Sequence, residues 1–186
     1  RVADPPAKPE QPNMEGTSAP IALPQPDEIP KREREDAMGA YLMMFAAWGA
    51  GLPLPLLNLL AAVIYFFTNK KTSRFVSFHA YQSLLTQIPT SIINASAIAW
   101  IATLIIKGYP LDTYEYADLF WSYIVFVVLL NLVYMIFSIV ACIRARRGRF
   151  YYFWVFGRIA FARYYGPSAV SMEQKEEEPN LPPEGF

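Results

Sequence analysis

Chemically reactive side chains are nearly missing from this sequence. One cysteine, Cys142, and one histidine, His79, occur in 186 residues. A lone cysteine excludes an internal disulfide and any metal site built from several cysteines. Formal charge is missing from three long stretches, residues 37–68, 75–106 and 119–143. None of them holds an Asp or Glu, so they lack the intramembrane carboxylates that mark proton and ion pathways. Nucleophilic catalysis finds no base either. A guanidinium such as that of Arg144 is the kind of neighbour that activates a thiol, but Cys142 ends an apolar run with no second histidine to serve it. No enzyme is read from these residues.

What is present is apolar. Hydrophobic residues make up 54% of the chain and aromatics 16%, against 17% charged, so the charges are segregated. Residues 1–36 carry a net −3, residues 37–163 a net +7 and residues 164–186 a net −4. The basic surplus therefore sits in the apolar part, at the borders of its runs, which is the pattern of a topology signal and not of a nucleic-acid surface. The expected fold is an all-α integral membrane protein of about four membrane helices: a kinked N-terminal helical hairpin, two spanning helices and a C-terminal interfacial amphipathic helix.

Four segments follow in order. Residues 1–36 hold eight of the sixteen prolines and end in the charge cluster Lys31–Asp36, an extended Pro-rich tail with no core of its own. No basic start followed by an apolar centre is found there, so no cleavable signal is read. Residues 37–148 form the polytopic membrane domain. Leu52-Pro53-Leu54-Pro55, with Gly49 and Gly51, divides its first run into Gly39–Gly51 and Leu56–Thr68, either a short hairpin or one kinked span. Pro89 divides the second run, and Thr86, Gln87, Thr90 and Ser91 around it offer polar groups to carbonyls that lose a helical donor. An interfacial opening turn followed by a span from Thr90 to Ile106 is expected. The run Leu119–Ile143 reads as an uninterrupted span. Residues 149–165 are aromatic and basic, with Phe150, Phe153, Trp154, Gly157, Phe161 and Tyr164 at helical spacing, an interfacial helix. Residues 166–186 are an acidic, Pro-rich tail containing Glu173, Glu176, Glu177 and Glu178.

Lys70, Lys71 and Arg74 border one end of the runs and Arg144, Arg146, Arg147 and Arg149 another, while Asp112, Glu115 and Asp118 fill the loop between the last two. Positive-inside counting puts both basic groups in the cytoplasm and the acidic loop outside, and with the hairpin reading both tails are cytoplasmic. The expected location is a bacterial cytoplasmic (inner) membrane.

The kinked opening Gly39–Thr68 and the junction Ser73-Arg74-Phe75-Val76, Phe78-His79-Ala80 and Gln82-Ser83-Leu84 together carry a family resemblance. They resemble bacterial small polytopic membrane proteins of unknown function, distantly related to the twenty-kilodalton subunit of the chloroplast inner-envelope import translocon. The resemblance covers roughly Met38 to Gly148. It implies a four-helix membrane fold, a recurring histidine and glutamine matching His79 and Gln82, and protein translocation as one role within the wider group.

His79 is the one candidate cofactor ligand, an imidazole able to bind haem or a metal-containing pigment axially. Its competing role, shared with Gln82 three residues on, is to satisfy neighbouring polar groups at the membrane boundary. No cofactor or metal is predicted for the chain itself; bound lipid or pigment would come through a partner complex. Asn58, Asn94 and Asn131 put one amide in each run, and Ser91, Ala95 and Ala99 recur every four residues. With Tyr134 and Ser138 they read as helix-packing seams in preference to a pore. Asp112, Glu115 and Asp118 read as a solvated loop in preference to a calcium site. Arg144, Arg146, Arg147, Arg149, Trp154, Arg158 and Arg163 read as a lipid-facing interface. The function expected is a non-enzymatic accessory subunit of a larger membrane complex, respiratory or photosynthetic, whose tails contact other integral-membrane subunits. The alternative is a transporter or protein-translocation component.

Overall fold

The computed structural model describes residues 23–45, 55–111 and 114–166. The described residues are all-helical, with no strand among them. Five α-helices follow in order: α1 (Lys31–Leu42), extended by a 3-10 turn at Met43–Phe45, α2 (Pro55–Asn69), α3 (Arg74–Lys107), α4 (Ala117–Arg146) and α5 (Phe156–Tyr165). Two of them, α3 and α4, are long and apolar enough to cross a membrane.

Helix α3 has 34 residues, about 51 Å at 1.5 Å per residue, and it runs unbroken through Pro89. The interfacial turn expected before Thr90 is therefore part of the same helix. Polar side chains bridge the carbonyls around the proline: Thr86 Oγ1 donates to Ser83 O at 2.8 Å, and Thr90 Oγ1 lies 3.1 Å from Thr86 O and 3.0 Å from Gln87 O. Ser73 caps the helix start, its Oγ accepting from Val76 N–H at 3.2 Å. Gly108, in the left-handed region at φ 67°, ends it as Tyr109 N–H bonds back to Leu104 O.

The two halves of α3 meet different surroundings. Phe75 to Ala80, Gln82, Ser83, Thr86 and Gln87 are buried, whereas Ile92, Ile98, Ile105 and Ile106 are exposed. The first half is buried because α1, α2 and α5 all pack on it, and Phe78 clusters with Ala160 and Tyr165 of α5. The second half meets α4 and otherwise presents an apolar surface suited to lipid. A 51 Å helix also exceeds the roughly 30 Å hydrocarbon core, so its first turns extend past the core at the end where protein encloses it.

Helices α1 and α2 fold back on each other. Tyr65 O–H donates to Asp36 O at 2.6 Å, Ala40 and Phe66 share a cluster, and a Cβ on Gly39 would collide with the Tyr65 hydroxyl. The α2 helix has 15 residues, about 22 Å, too short for a span. Its Asn58, with Met44 and Phe45, stands level with Asn94 and Asn131, near the middles of α3 and α4. The described part of the pair thus reaches halfway along the spanning helices. Pro53, Gly49 and Gly51, on which the choice between hairpin and kinked span turned, lie outside the described residues.

Helix α1 begins at Lys31, inside the segment expected as tail. The chain before it lies against its own membrane domain: Ile29 is 3% exposed and clusters with Ala37, Tyr41, Phe75, Ala141 and Ala145. Gly148 fits this passage on two counts. Its φ of 70° favours glycine, and a Cβ there would come within 3.0 Å of Pro26 backbone atoms. The C-terminal helix starts at Phe156, later than expected, and residues 150–153 run as non-helical chain over the start of α3.

The basic loop 70–74 and the arginines at the end of α4 lie at one end of the helix pair, as Phe75 packs on Phe150 with centroids 5.3 Å apart. At the other end Trp121 Nε1–H donates to Leu111 O at 3.0 Å.

Candidate functional site

Two polar constructions interrupt the apolar packing. The first is a buried node joining α1, α3 and the chain after α4. Gln82 Nε2 donates to Tyr41 Oη at 2.8 Å and to Tyr151 O at 2.9 Å, while Phe153 N–H reaches Gln82 Oε1 at 3.4 Å. Both amide hydrogens of Gln82 are then committed. The contact of 2.8 Å between Tyr41 Oη and His79 Nδ1 is assigned with the phenol as donor, which gives its own hydrogen a partner. In this assignment His79 is a neutral imidazole that accepts at Nδ1 and carries its hydrogen on Nε2. Burial holds the Tyr41 phenol well above its usual range, which keeps it a donor.

His79 is enclosed by rings. Phe75, Phe78 and Phe150 lie 4.5, 5.0 and 5.9 Å from it between centroids, and Tyr41 lies 5.6 Å away. Its Nε2 has no hydrogen-bond partner among the described residues. An axial haem ligand needs that nitrogen facing open space, and reaching it here requires moving aromatic side chains. Sequence spacing correctly put His79 and Gln82 on one face. It gave no reason to select Tyr41 or Tyr151, which come from distant parts of the chain.

The second construction is a cavity of about 290 Å³ between the 3-10 turn, Asn58 of α2 and the midpoints of α3 and α4. Its polar wall consists of Asn58, Gln87, Thr90, Ser91, Asn94, Asn131 and Tyr134. Asn94 and Asn131 exchange hydrogen bonds at 3.0 and 2.8 Å, and each also donates to its own helix backbone at 2.8 Å. Thr86 Oγ1 and Tyr134 Oη approach to 3.5 Å. Gln87 donates to Ser83 Oγ at 3.3 Å, and Ser83 donates in turn to Ala40 O at 2.7 Å. The Gln87 Oε1 acceptor is buried without a partner among the described residues. Among the described residues the wall carries amides, hydroxyls and methionine thioethers, with no carboxylate, imidazole or thiol. It suits water or another neutral hydrogen-bonding molecule, and among the described residues no three metal-ligating side chains converge.

The other sequence-selected residues divide between packing and surface. Ser138 is buried, Ala95 is half-buried and Ala99 is exposed, so the four-residue repeat from Ser91 turns out of the contact before it ends. Cys142 is half-buried against the cluster around Tyr41. Arg144, Arg146, Arg147, Arg149 and Arg158 are exposed, Trp154 is 89% exposed, and exposed Arg163 stacks 5.5 Å from the Tyr81 ring. Trp154 shared the expected helical face with Gly157, yet it precedes α5 and points away from the fold. Glu115 and Asp118 are exposed; Asp112, Glu173, Glu176, Glu177 and Glu178 lie outside the described residues.

No curated protein and no solved structure matches the chain. The kinship with the chloroplast translocon subunit, read from the Ser73–Leu84 junction, thus gains no support. A match of a different kind covers residues 33–160, from α1 through the first half of α5, and includes both the histidine node and the cavity. Its extent establishes that the chain belongs to the MamF/MmsF family, the magnetosome magnetite crystal formation protein family, a bacterial membrane group.

Proposed function

We propose that this chain is a non-enzymatic accessory protein of the magnetosome membrane that promotes magnetite crystal formation by contacting other membrane proteins. The observation that carries this reading is the family match over residues 33–160. Two features support it. Tyr41 of α1, His79 and Gln82 of α3 and the backbone of Tyr151 and Phe153 bond to one another, as expected of a rigid scaffold. Among the described residues the cavity wall has no carboxylate, imidazole or thiol, and its one ionisable group is the Tyr134 phenol. The respiratory or photosynthetic parent complex has no counterpart in the family's description, and the accessory role moves to the magnetosome instead. Positive-inside counting keeps residues 70–74 and 144–149 on the cytoplasmic face.

The test is complementation of a magnetosome-forming bacterium from which this protein has been deleted. Loss of normal crystal size in the deletion strain, restored by the full chain together with a stoichiometric membrane partner on purification, supports the reading. Normal crystals without the protein, or full rescue with no partner retained, refutes it.

A transport role is the second reading, favoured by one observation: seven polar residues line a cavity halfway along the spanning helices. Solute flux into liposomes holding the purified chain, abolished by Asn94→Leu, would support it over the accessory role.

A further inference from the structure

The C-terminal end of α2 and the last turn of α5 form a basic groove that the packing leaves open. Phe66, Phe67, Lys70, Lys71, Arg163 and Tyr164 line it, with a volume of about 710 Å³. Lys70 Nζ stands 4.5 Å from the centre of the Phe67 ring, and Arg163 lies over Tyr81. No carboxylate lines the groove, and none pairs with these three cations among the described residues. From Phe67 an exposed apolar stripe runs back along α2 through Ile64, Leu60 and Leu56. Their spacing of three and four residues keeps them on one helix face. The stripe is roughly 16 Å long, a length that can accompany much of an acyl chain.

We propose that this groove binds one anionic phospholipid, its phosphate among Lys70, Lys71 and Arg163 and an acyl chain along Phe67, Ile64, Leu60 and Leu56. Charge and geometry agree on this occupant. Three cations from two separate elements converge where the membrane-embedded helices end, and basic recesses at such positions suit anionic headgroups. A soluble phosphate would use the cations alone and leave the apolar stripe uncovered. None of the exposed arginines at the end of α4 lines this groove.

The test uses the full chain in phosphatidylcholine nanodiscs and measures retention of a labelled phosphatidylglycerol. Lys70→Gln, Lys71→Gln and Arg163→Gln are combined in one variant. A control removes the same charge through Arg146→Gln, Arg147→Gln and Arg149→Gln. At several-fold per charge, the groove variant should lose on the order of 100-fold in lipid retention while the control keeps most of it. Thermal melting of both variants identifies any general loss of folding, and in that event Leu60→Ser with Ile64→Ser, which spares the charges, should still shorten lipid residence. Equal losses in groove variant and control overturn the proposal in favour of general surface attraction. Displacement by millimolar glycerol phosphate overturns it in favour of a simple anion site. Lipid retention that emerges only after removal of residues 167–186 overturns it in favour of the chain's own acidic tail as occupant.

Discussion

Asn94 and Asn131 form a reciprocal amide pair across α3 and α4, each donating to the other's carbonyl oxygen. Apolar contact between spanning helices gives no preference over lipid, so polar bonds set the depth at which α3 and α4 register: this pair, and Tyr123 O–H donating to Ile93 O at 3.1 Å. Asn131→Leu should lower stability by about 1 kcal/mol, within the range for interhelical hydrogen bonds in membranes. Asn94→Leu should cost a similar amount, and the double variant should cost less than the sum. Steric-trap or thermal unfolding in detergent measures all three. Additive losses would show that the amides act independently.

Tyr41 holds the node together. Tyr41→Phe leaves His79 Nδ1 and one Gln82 hydrogen unpaired in a buried position, at a cost of about 1–3 kcal/mol. His79→Asn should cost a similar amount, and combining the two should add little because both break one network. Melting temperature of the purified variants decides this. If Tyr41→Phe melts like the parent, water replaces the hydroxyl.

Topology is checked with cysteines in a Cys142→Ala background. Glu115 and Arg146 are both exposed and lie at opposite ends of the helix pair. A membrane-impermeant maleimide applied from outside should label Glu115→Cys and leave Arg146→Cys untouched until the membrane is opened. Labelling of both from one side refutes the arrangement.

Two N-terminal deletions separate strap from anchor. Removing residues 1–22 should leave insertion and melting unchanged and weaken retention of partner proteins. Removing residues 1–30 also deletes Ile29, whose burial is worth about 1.5–3 kcal/mol, and should lower the melting temperature as well. Equal partner retention by the full chain and the shorter deletion would remove the strap.

Charge patterning made the membrane architecture legible because a membrane punishes misplaced charge more severely than any other error. It marked both spanning helices and put residues 70–74 and 144–149 at the same end. Hydropathy did not reveal that half of α3 is buried in protein, since Phe75, Val76 and Phe78 look alike whether they meet lipid or neighbouring helices. The continuity through Pro89 was equally hidden, because a proline inside an apolar run reads equally as a helix break and as a tolerated interruption. His79 and Gln82 were conspicuous as isolated polar residues. Tyr41 was not, as nothing near it in sequence says that its hydroxyl meets α3. Gln87 drew notice only as a neighbour of Pro89, while the burial of its unpartnered acceptor depends on the tertiary packing around it.

The unequal surroundings of α3 give the protein different widths in the two halves of a bilayer. On the acidic side, the described chain presents essentially the α3–α4 pair. On the basic side α1, α2 and α5 gather around the same two helices, each about 10 Å across. Lipids in the two leaflets must therefore vacate unequal areas for each copy inserted. Many copies in one membrane would add these differences into a bending tendency, with the wider side toward the convex face.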